Sequence, residues 1–348
     1  MIPKSLLASA ALSLTFLSSG ASAGFMSLYA FGDSLSDSGN LYNIVYAASS
    51  GTIEVPPPPY YQGRASNGPV AVEYLAARLG LSAQPVIASD GSINPLGTNF
   101  AILGSATGPV SQVSAIHSNY MTFRYDPALP DVGINDQINT FAGLSGGAAN
   151  PGALYFYWGG ANDAYLALED PDIDHNDLAV MNGIATTTGQ KAAQNVANNI
   201  GALAVLGART FLVPNLPDLG LTPDAQSGIY GTAYATALTT YTNTFNAALD
   251  GLMDPLDADP LLRVVEFDMA SVFDDLFTSG LYNVTDECII AGPACDPSTY
   301  LFWDGVHPTT FFHARLGDLM AQAVPEPASL GLLASGLILI RIARGRRG

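Results

Sequence analysis

Ser27-Leu28-Tyr29-Ala30-Phe31-Gly32-Asp33-Ser34 decides how the rest of the chain is read. Residues 27–31 form a short, largely apolar run that stops at a glycine, followed by an acid and a serine. A brief apolar stretch cut off by turn residues has the pattern of a buried strand. A serine directly after such a strand sits at the carboxyl edge of a sheet, where its hydroxyl and nearby backbone N–H groups face one space. Position carries this reading, because a serine alone is most often a cap or turn residue.

The same grammar recurs downstream. Residues 153–158 run into Gly159-Gly160, residues 209–213 end at Pro214, and residues 261–267 make a further strand. Helical spacing lies between them. It covers 71–79, with Val72, Leu75, Ala76 and Leu79 on one face; 190–206, closed by Gly207; 232–253; and 311–323. Strands alternating with helices predict a parallel sheet covered on both faces. Sites in such sheets form beyond the carboxyl ends of the strands. The polar clusters after Phe31, Trp158 and Val213 stand there.

The chain has 348 residues, and both ends differ from the middle. Residues 1–23 read as a secretory signal: Lys4, an apolar run from 6 to 17, then Ala21-Ser22-Ala23 as a small-residue cleavage pattern. The run is short of the ~20 apolar residues a spanning helix needs. At the other end, Val324-Pro325-Glu326-Pro327 precedes thirteen uncharged residues, 328–340, and then Arg341, Arg344, Arg346 and Arg347. Residues 324–348 resemble the PEP-CTERM sorting tail of Gram-negative bacteria. That resemblance implies an exosortase-like partner and removal of the tail, an address rather than a lasting anchor. Otherwise the segment is a plain C-terminal anchor.

Residues 24–323 remain, enough for one large domain with a full core. They hold 7 Lys/Arg against 29 Asp/Glu, a net charge of −22. So acidic a body repels nucleic acid and anionic membrane surfaces. Cys288 and Cys295 are the two cysteines, with six residues between them in a Gly/Pro/Asp-rich loop. In an oxidising periplasm they can form a small disulfide. No cysteine–histidine cluster suggests zinc, and the pattern calls for no cofactor.

A serine hydroxyl needs a base, and histidine suits that task. Trp303-Asp304-Gly305-Val306-His307-Pro308-Thr309 supplies one, with Asp304 three residues before His307. A compact turn lets both face one cleft, with Asp304 or a backbone carbonyl as orienter. His117, His175 and His313 are the remaining histidines. Gly159-Gly160-Ala161-Asn162-Asp163 follows a strand, and an asparagine amide there can face a developing oxyanion. Asn99-Phe100-Ala101-Ile102-Leu103-Gly104-Ser105-Ala106 is the fourth polar-ended block.

Together with Phe31 to Asn40, these blocks resemble the GDSL (SGNH) serine esterases and lipases. Residues 63–69, Gly-Arg-Ala-Ser-Asn-Gly-Pro, and 214–220, Pro-Asn-Leu-Pro-Asp-Leu-Gly, share the likeness, which spans nearly all of 27–321 with its motifs in family order. Leu103 and Ser105 stand where the family usually has glycine and alanine. The resemblance implies a flavodoxin-like α/β/α sandwich with a five-stranded parallel sheet. It implies Ser34 as nucleophile, His307 as base and Asp304 as orienter. The oxyanion hole would comprise the N–H groups of Ser34 and Gly104 and the Asn162 amide. The expected protein is an exported serine hydrolase that cleaves carboxylic esters. Two alternatives stand beside it: an O-acetyl esterase acting on envelope or extracellular polysaccharide, and a non-catalytic surface carbohydrate-binding protein on the same fold. Residues 41–62 and 108–135, loop-rich and aromatic, are expected to wall the substrate.

Two other stretches compete for attention. Gly143-Leu144-Ser145-Gly146-Gly147 fits the nucleophile-elbow string, but Ile134, Ile138 and Phe141 predict a helix before it, where an elbow needs a strand. Residues 169–177 are dense in carboxylates, yet lack the central glycine and terminal glutamate of an EF-hand. They read as a solvated acidic loop.

Overall fold

Alternation within each strand sends its side chains to two separate cores. Phe31, Tyr155, Tyr157, Phe211 and Val213 are buried on one side of the sheet, and Leu28, Ala30, Leu154, Phe156 and Leu212 on the other. Each of the buried Leu, Val and Phe side chains contributes about 1.5–3 kcal/mol. The computed structural model describes residues 24–108 and 132–324. The signal-like segment 1–23, residues 325–348 of the sorting-like tail and residues 109–131 of the expected substrate wall lie outside the described residues.

The strands are β1 (Leu28–Gly32), β2 (Leu154–Trp158), β3 (Thr210–Pro214) and β4 (Arg263–Phe267). All pair in parallel in the order β1-β2-β3-β4. The free edge of β1 carries one more parallel partner. Ala30 donates to Thr98 O, Phe100 to Ala30 O and Ile102 to Gly32 O, at 3.0, 2.8 and 3.2 Å. Counting this short segment as a fifth strand gives the order 2-1-3-4-5, the flavodoxin-like arrangement. The segment is abbreviated because Leu103-Gly104 turns away at once, Gly104 with φ +87°.

Ten helices are described: α1 (Asn40–Ala48), α2 (Ala71–Arg78), α3 (Ile134–Leu144), α4 (Ala161–Leu168), α5 (Leu178–Leu206), α6 (Pro223–Gln226), α7 (Tyr234–Asp257), α8 (Met269–Thr278), α9 (Cys288–Ala291) and α10 (Thr310–Ala323). Helices α3, α4, α5 and α7 cover the Phe31 face, and α2, α8 and α10 the Leu28 face. The result is a three-layer α/β/α sandwich. Helix α5 begins twelve residues before the expected 190. Asp177 caps it by accepting from Ala179 and Val180 N–H, and the cap outweighs the weak helix formers at Gly183 and Thr186–188. Cys288 and Cys295 are joined as a disulfide, with Cα atoms 5.3 Å apart, closing the loop that holds α9.

Candidate active site

The turn after β1 is tight. The Asp33 carbonyl accepts from Ser36 N (3.0 Å) and Asp37 N (2.9 Å), which leaves Ser34 at the tip. Ser34 is 8% exposed and lines a cavity of about 330 Å³ beyond the carboxyl ends of the strands. Its walls are largely apolar: Leu166, Phe273, Phe277, Ile289, Ile290 and Phe302 contribute.

His307 reaches the same cavity from the loop before α10. That loop is a clamp: Phe302 and Pro308 form an antiparallel bridge, and Trp303 N donates to His307 O at 2.7 Å. At its tip Asp304 Oδ1 accepts from Val306 N (3.0 Å) and His307 N (2.8 Å). This Asx turn is what a three-residue spacing allows. It folds the imidazole onto the carboxylate, with His307 Nδ1 2.8 Å from Asp304 Oδ2. Nδ1–H therefore donates to the carboxylate, and Nε2, 2.8 Å from Ser34 Oγ, is free to accept the hydroxyl proton. Burial alone would raise the Asp304 carboxyl, but His307 and the loop N–H groups hold it below its ordinary value. Burial would likewise lower His307, but Asp304 beside it, with Asp33 beyond, carries it above the usual 6.5.

The neighbouring carboxylates differ. Asp33 is buried, accepts from Leu35 N (3.0 Å) through Oδ1 and leaves Oδ2 without a partner among the described residues. Burial pushes it up to about 7. Asp163, buried in α4, rises to about 6 for the same reason, although Thr107 donates to it twice.

Gly104 and Asn162 face the cavity with Ser34. Neither the Ser34 N–H nor the Gly104 N–H has an acceptor among the described residues. Both residues line the cavity, so two unpaired N–H groups beside one hydroxyl are placed to accept an anion. Gly104 supplies its N–H from a left-handed backbone that a side chain would strain. Leu103 packs into a small cluster with Leu41, Val45 and Val55, and its N–H donates to Asp37 Oδ2 at 2.9 Å. Asn162, in the first turn of α4, donates one amide N–H to Ser105 O at 3.0 Å. The second amide hydrogen remains available.

Two supporting residues, Tyr60 and Gln137, carry no signal in the sequence. Tyr60 donates its hydroxyl to Asp304 Oδ2 at 2.8 Å. Gln137 Nε2 bridges Gly32 O (2.8 Å) and Ser105 Oγ (3.0 Å), tying the ends of two blocks together. The Gly-Arg-Ala-Ser-Asn-Gly-Pro stretch buttresses the histidine loop: Ser66 Oγ donates to Pro308 O (2.9 Å), and Asn67 Oδ1 accepts from Thr310 N (2.8 Å).

The competing stretches fall elsewhere. Ser145 caps the end of α3, its hydroxyl 3.3 Å from Ala142 O, and does not line the cavity. In the acidic stretch Asp170 and Asp174 accept N–H groups two residues on, and Asp177 caps α5. His313 is buried in α10, where burial drives it down to about 3 and Nδ1 accepts from Ala71 N at 3.2 Å. His117 lies outside the described residues. Among the described residues no helix is long and apolar enough to cross a membrane.

A hydroxyl, an imidazole and a carboxylate bonded in series, beside unpaired N–H donors at a sheet edge, define the geometry of a serine hydrolase. Comparison with known proteins agrees: the GDSL-like lipase/acylhydrolase family profile matches residues 28–320, and the chain belongs to that family. The phosphatidylcholine-sterol acyltransferase of Aeromonas hydrophila is 26% identical over 86% of this chain and 90% of its own. Esterase EstA of Pseudomonas aeruginosa is 28% identical over 89% of this chain, which spans about half (48%) of that protein. Among solved structures, the carbohydrate acetylesterase Est24 of Sinorhizobium meliloti aligns with 85% of this chain and 96% of its own, at 15% identity and a TM-score of 0.41. The family is described as lipases and acylhydrolases, and these relatives are named as an acyltransferase and an esterase.

Proposed function

We propose that the chain is an exported esterase or lipase working through a Ser34 acyl-enzyme. The observation that carries this is the unbroken hydrogen-bonded series Ser34 Oγ–His307 Nε2, His307 Nδ1–Asp304. In the first half-reaction Ser34 Oγ attacks the ester carbonyl carbon as His307 Nε2 takes its proton. The carbonyl oxygen becomes an oxyanion, held by the N–H groups of Ser34 and Gly104 and the Asn162 amide. Asp304 fixes the imidazole and stabilises its charged form. The carbon–oxygen bond then breaks, and the alcohol leaves with the proton from Nε2. Water repeats the sequence on the acyl-enzyme, giving the carboxylic acid and restoring Ser34.

The apolar walls favour an ester with a hydrocarbon acyl chain over an acetylated glycan. Ser34→Ala and His307→Ala are each expected to remove almost all turnover of p-nitrophenyl butyrate, and Asn162→Ala to cost about 10²–10³-fold. Full activity in Ser34→Ala would sink the reading. A p-nitrophenyl chain-length series set against acetate release from acetylated glycans separates the two substrate classes. Export rests on the patterns at residues 1–23 and 324–348 and on the acidic body. N-terminal sequencing of the mature protein should begin at Gly24.

A further inference from the structure

Asp224 is a buried carboxyl for which the mechanism has no use. It sits in α6 and is 4% exposed, yet it lines the cavity. Its side chain has no hydrogen bond or ion-pair partner among the described residues, although its backbone N–H donates to Gly305 O at 3.0 Å. Gly305 permits this approach, since a Cβ there would lie 3.1 Å from Asp224 Cβ and 3.3 Å from its Oδ1. Glu287, half-buried on the same wall, also lacks a side-chain partner. It immediately precedes α9, whose Ile289 N donates to Trp303 O at 2.8 Å. Both carboxyls thus flank the Asp304–His307 loop. No lysine or arginine lines the cavity among the described residues.

An unpaired buried carboxyl is costly, and a second one facing it adds repulsion. Burial, with Glu287 and Asp304 nearby, pushes Asp224 up to about 8. A neutral hydroxyl could give one of the pair a hydrogen bond but would leave the repulsion. A cation relieves both. Position names the part of the substrate concerned. The leaving alcohol takes its proton from His307 Nε2, so it departs on the side of the histidine loop, where Asp224 and Glu287 stand. The rings of Tyr60 and Tyr165 line the same space and suit an ammonium group.

We propose that Asp224, assisted by Glu287, forms a subsite for an ammonium group on the alcohol half of the substrate, so that cationic choline-type esters are preferred. This rests on the acyl-enzyme reading. The overall reaction is unchanged: ester and water give a carboxylic acid and an ammonium-bearing alcohol.

The test compares butyrylcholine with 3,3-dimethylbutyl butyrate, its neutral isostere. Wild-type kcat/KM should favour the cation by about tenfold or more, a conservative figure for two opposed charges a few ångströms apart in a partly shielded site. Asp224→Asn should cut that ratio at least fivefold, and Glu287→Gln by less. Choline chloride should inhibit wild-type cleavage of p-nitrophenyl butyrate competitively, beyond matched sodium chloride, which keeps the test valid if a variant fails to fold. A wild-type ratio near one, a ratio untouched by Asp224→Asn, or no choline inhibition would overturn the subsite. Those results with Ser34-dependent cleavage of the neutral ester remove the subsite alone, whereas turnover surviving Ser34→Ala removes the mechanism beneath it.

Discussion

In the proposed mechanism Tyr60 acts through another residue, Asp304. Its hydroxyl saturates Asp304 Oδ2, the oxygen nearer to His307 Nδ1. Tyr60→Phe keeps the ring but removes one donor from a buried carboxylate. A hydrogen bond to a charged group contributes about 1.5–3 kcal/mol, so kcat/KM should fall roughly tenfold or more. The carboxylate left behind is more basic and holds the imidazolium more firmly, so the acid limb of the pH–rate profile should also move up. A purely structural tyrosine would leave that limb in place. The limb itself has a direction. His307 must be neutral to accept a proton, and its raised pKa puts the limb above 6.5. Asp33 is one of the groups that raise it, so Asp33→Asn should shift the limb to lower pH. A profile that does not move would show that the two groups do not feel each other. Ser34, Asp304 and His307 were legible in the sequence because their chemistry sits in short strings at element ends. Tyr60 was not, since 244 residues separate it from its partner and a lone tyrosine in a proline-rich loop carries no pattern.

At the scale of elements, Asp37 joins the two loops that build the site. It accepts from Gly39 N (2.7 Å) and Asn40 N (2.6 Å) through Oδ1, capping α1, and from Leu41 N and Leu103 N through Oδ2. The bond to Leu103 holds the peptide just before Gly104 against the serine turn. Asp37→Ala therefore breaks a cap and a tether together. Urea unfolding should show a loss of at least about 2 kcal/mol, given the penalty for each buried donor left unpaired. Turnover of the fully folded variant should also fall, because Gly104 loses its mooring. Unchanged kcat would mean that the tether is not what holds the oxyanion loop. The four strands were legible to within two residues, since short apolar runs cut off by glycine, proline or aspartate have few other readings. Helix α5 was legible only from its Ala-rich half. Helices α1, α4 and α8 were hidden: α1 and α4 start on a left-handed or otherwise positive-φ glycine, and α8 on an aspartate that could equally have been a turn.

For the whole molecule, buried acids set how stability responds to pH. Asp33, Asp163 and Asp224 rise to about 7, 6 and 8 in the fold, against about 3.8 in an unfolded chain. A carboxyl with a raised folded pKa binds its proton more tightly in the native state. Its contribution is fully present below the unfolded pKa and is lost as pH climbs to the folded one. His313 acts in the opposite sense: its folded pKa is about 3, so the unfolded chain takes up its proton first as pH falls below 6.5. Three acids outweigh one histidine between pH 8 and 5, and over that range self-repulsion of the net −22 body also eases as protons are added. Each excess proton bound by the native state adds up to ~1.4 kcal/mol per pH unit. The melting temperature should therefore rise as pH falls from 8 to about 5, while activity declines because His307 becomes charged. Stability and turnover should part company below neutrality. A melting temperature that is flat, or that falls with acidification over this range, would mean the buried acids are ionised in the native state. In that case Asp224 would already hold its charge before any cation arrived.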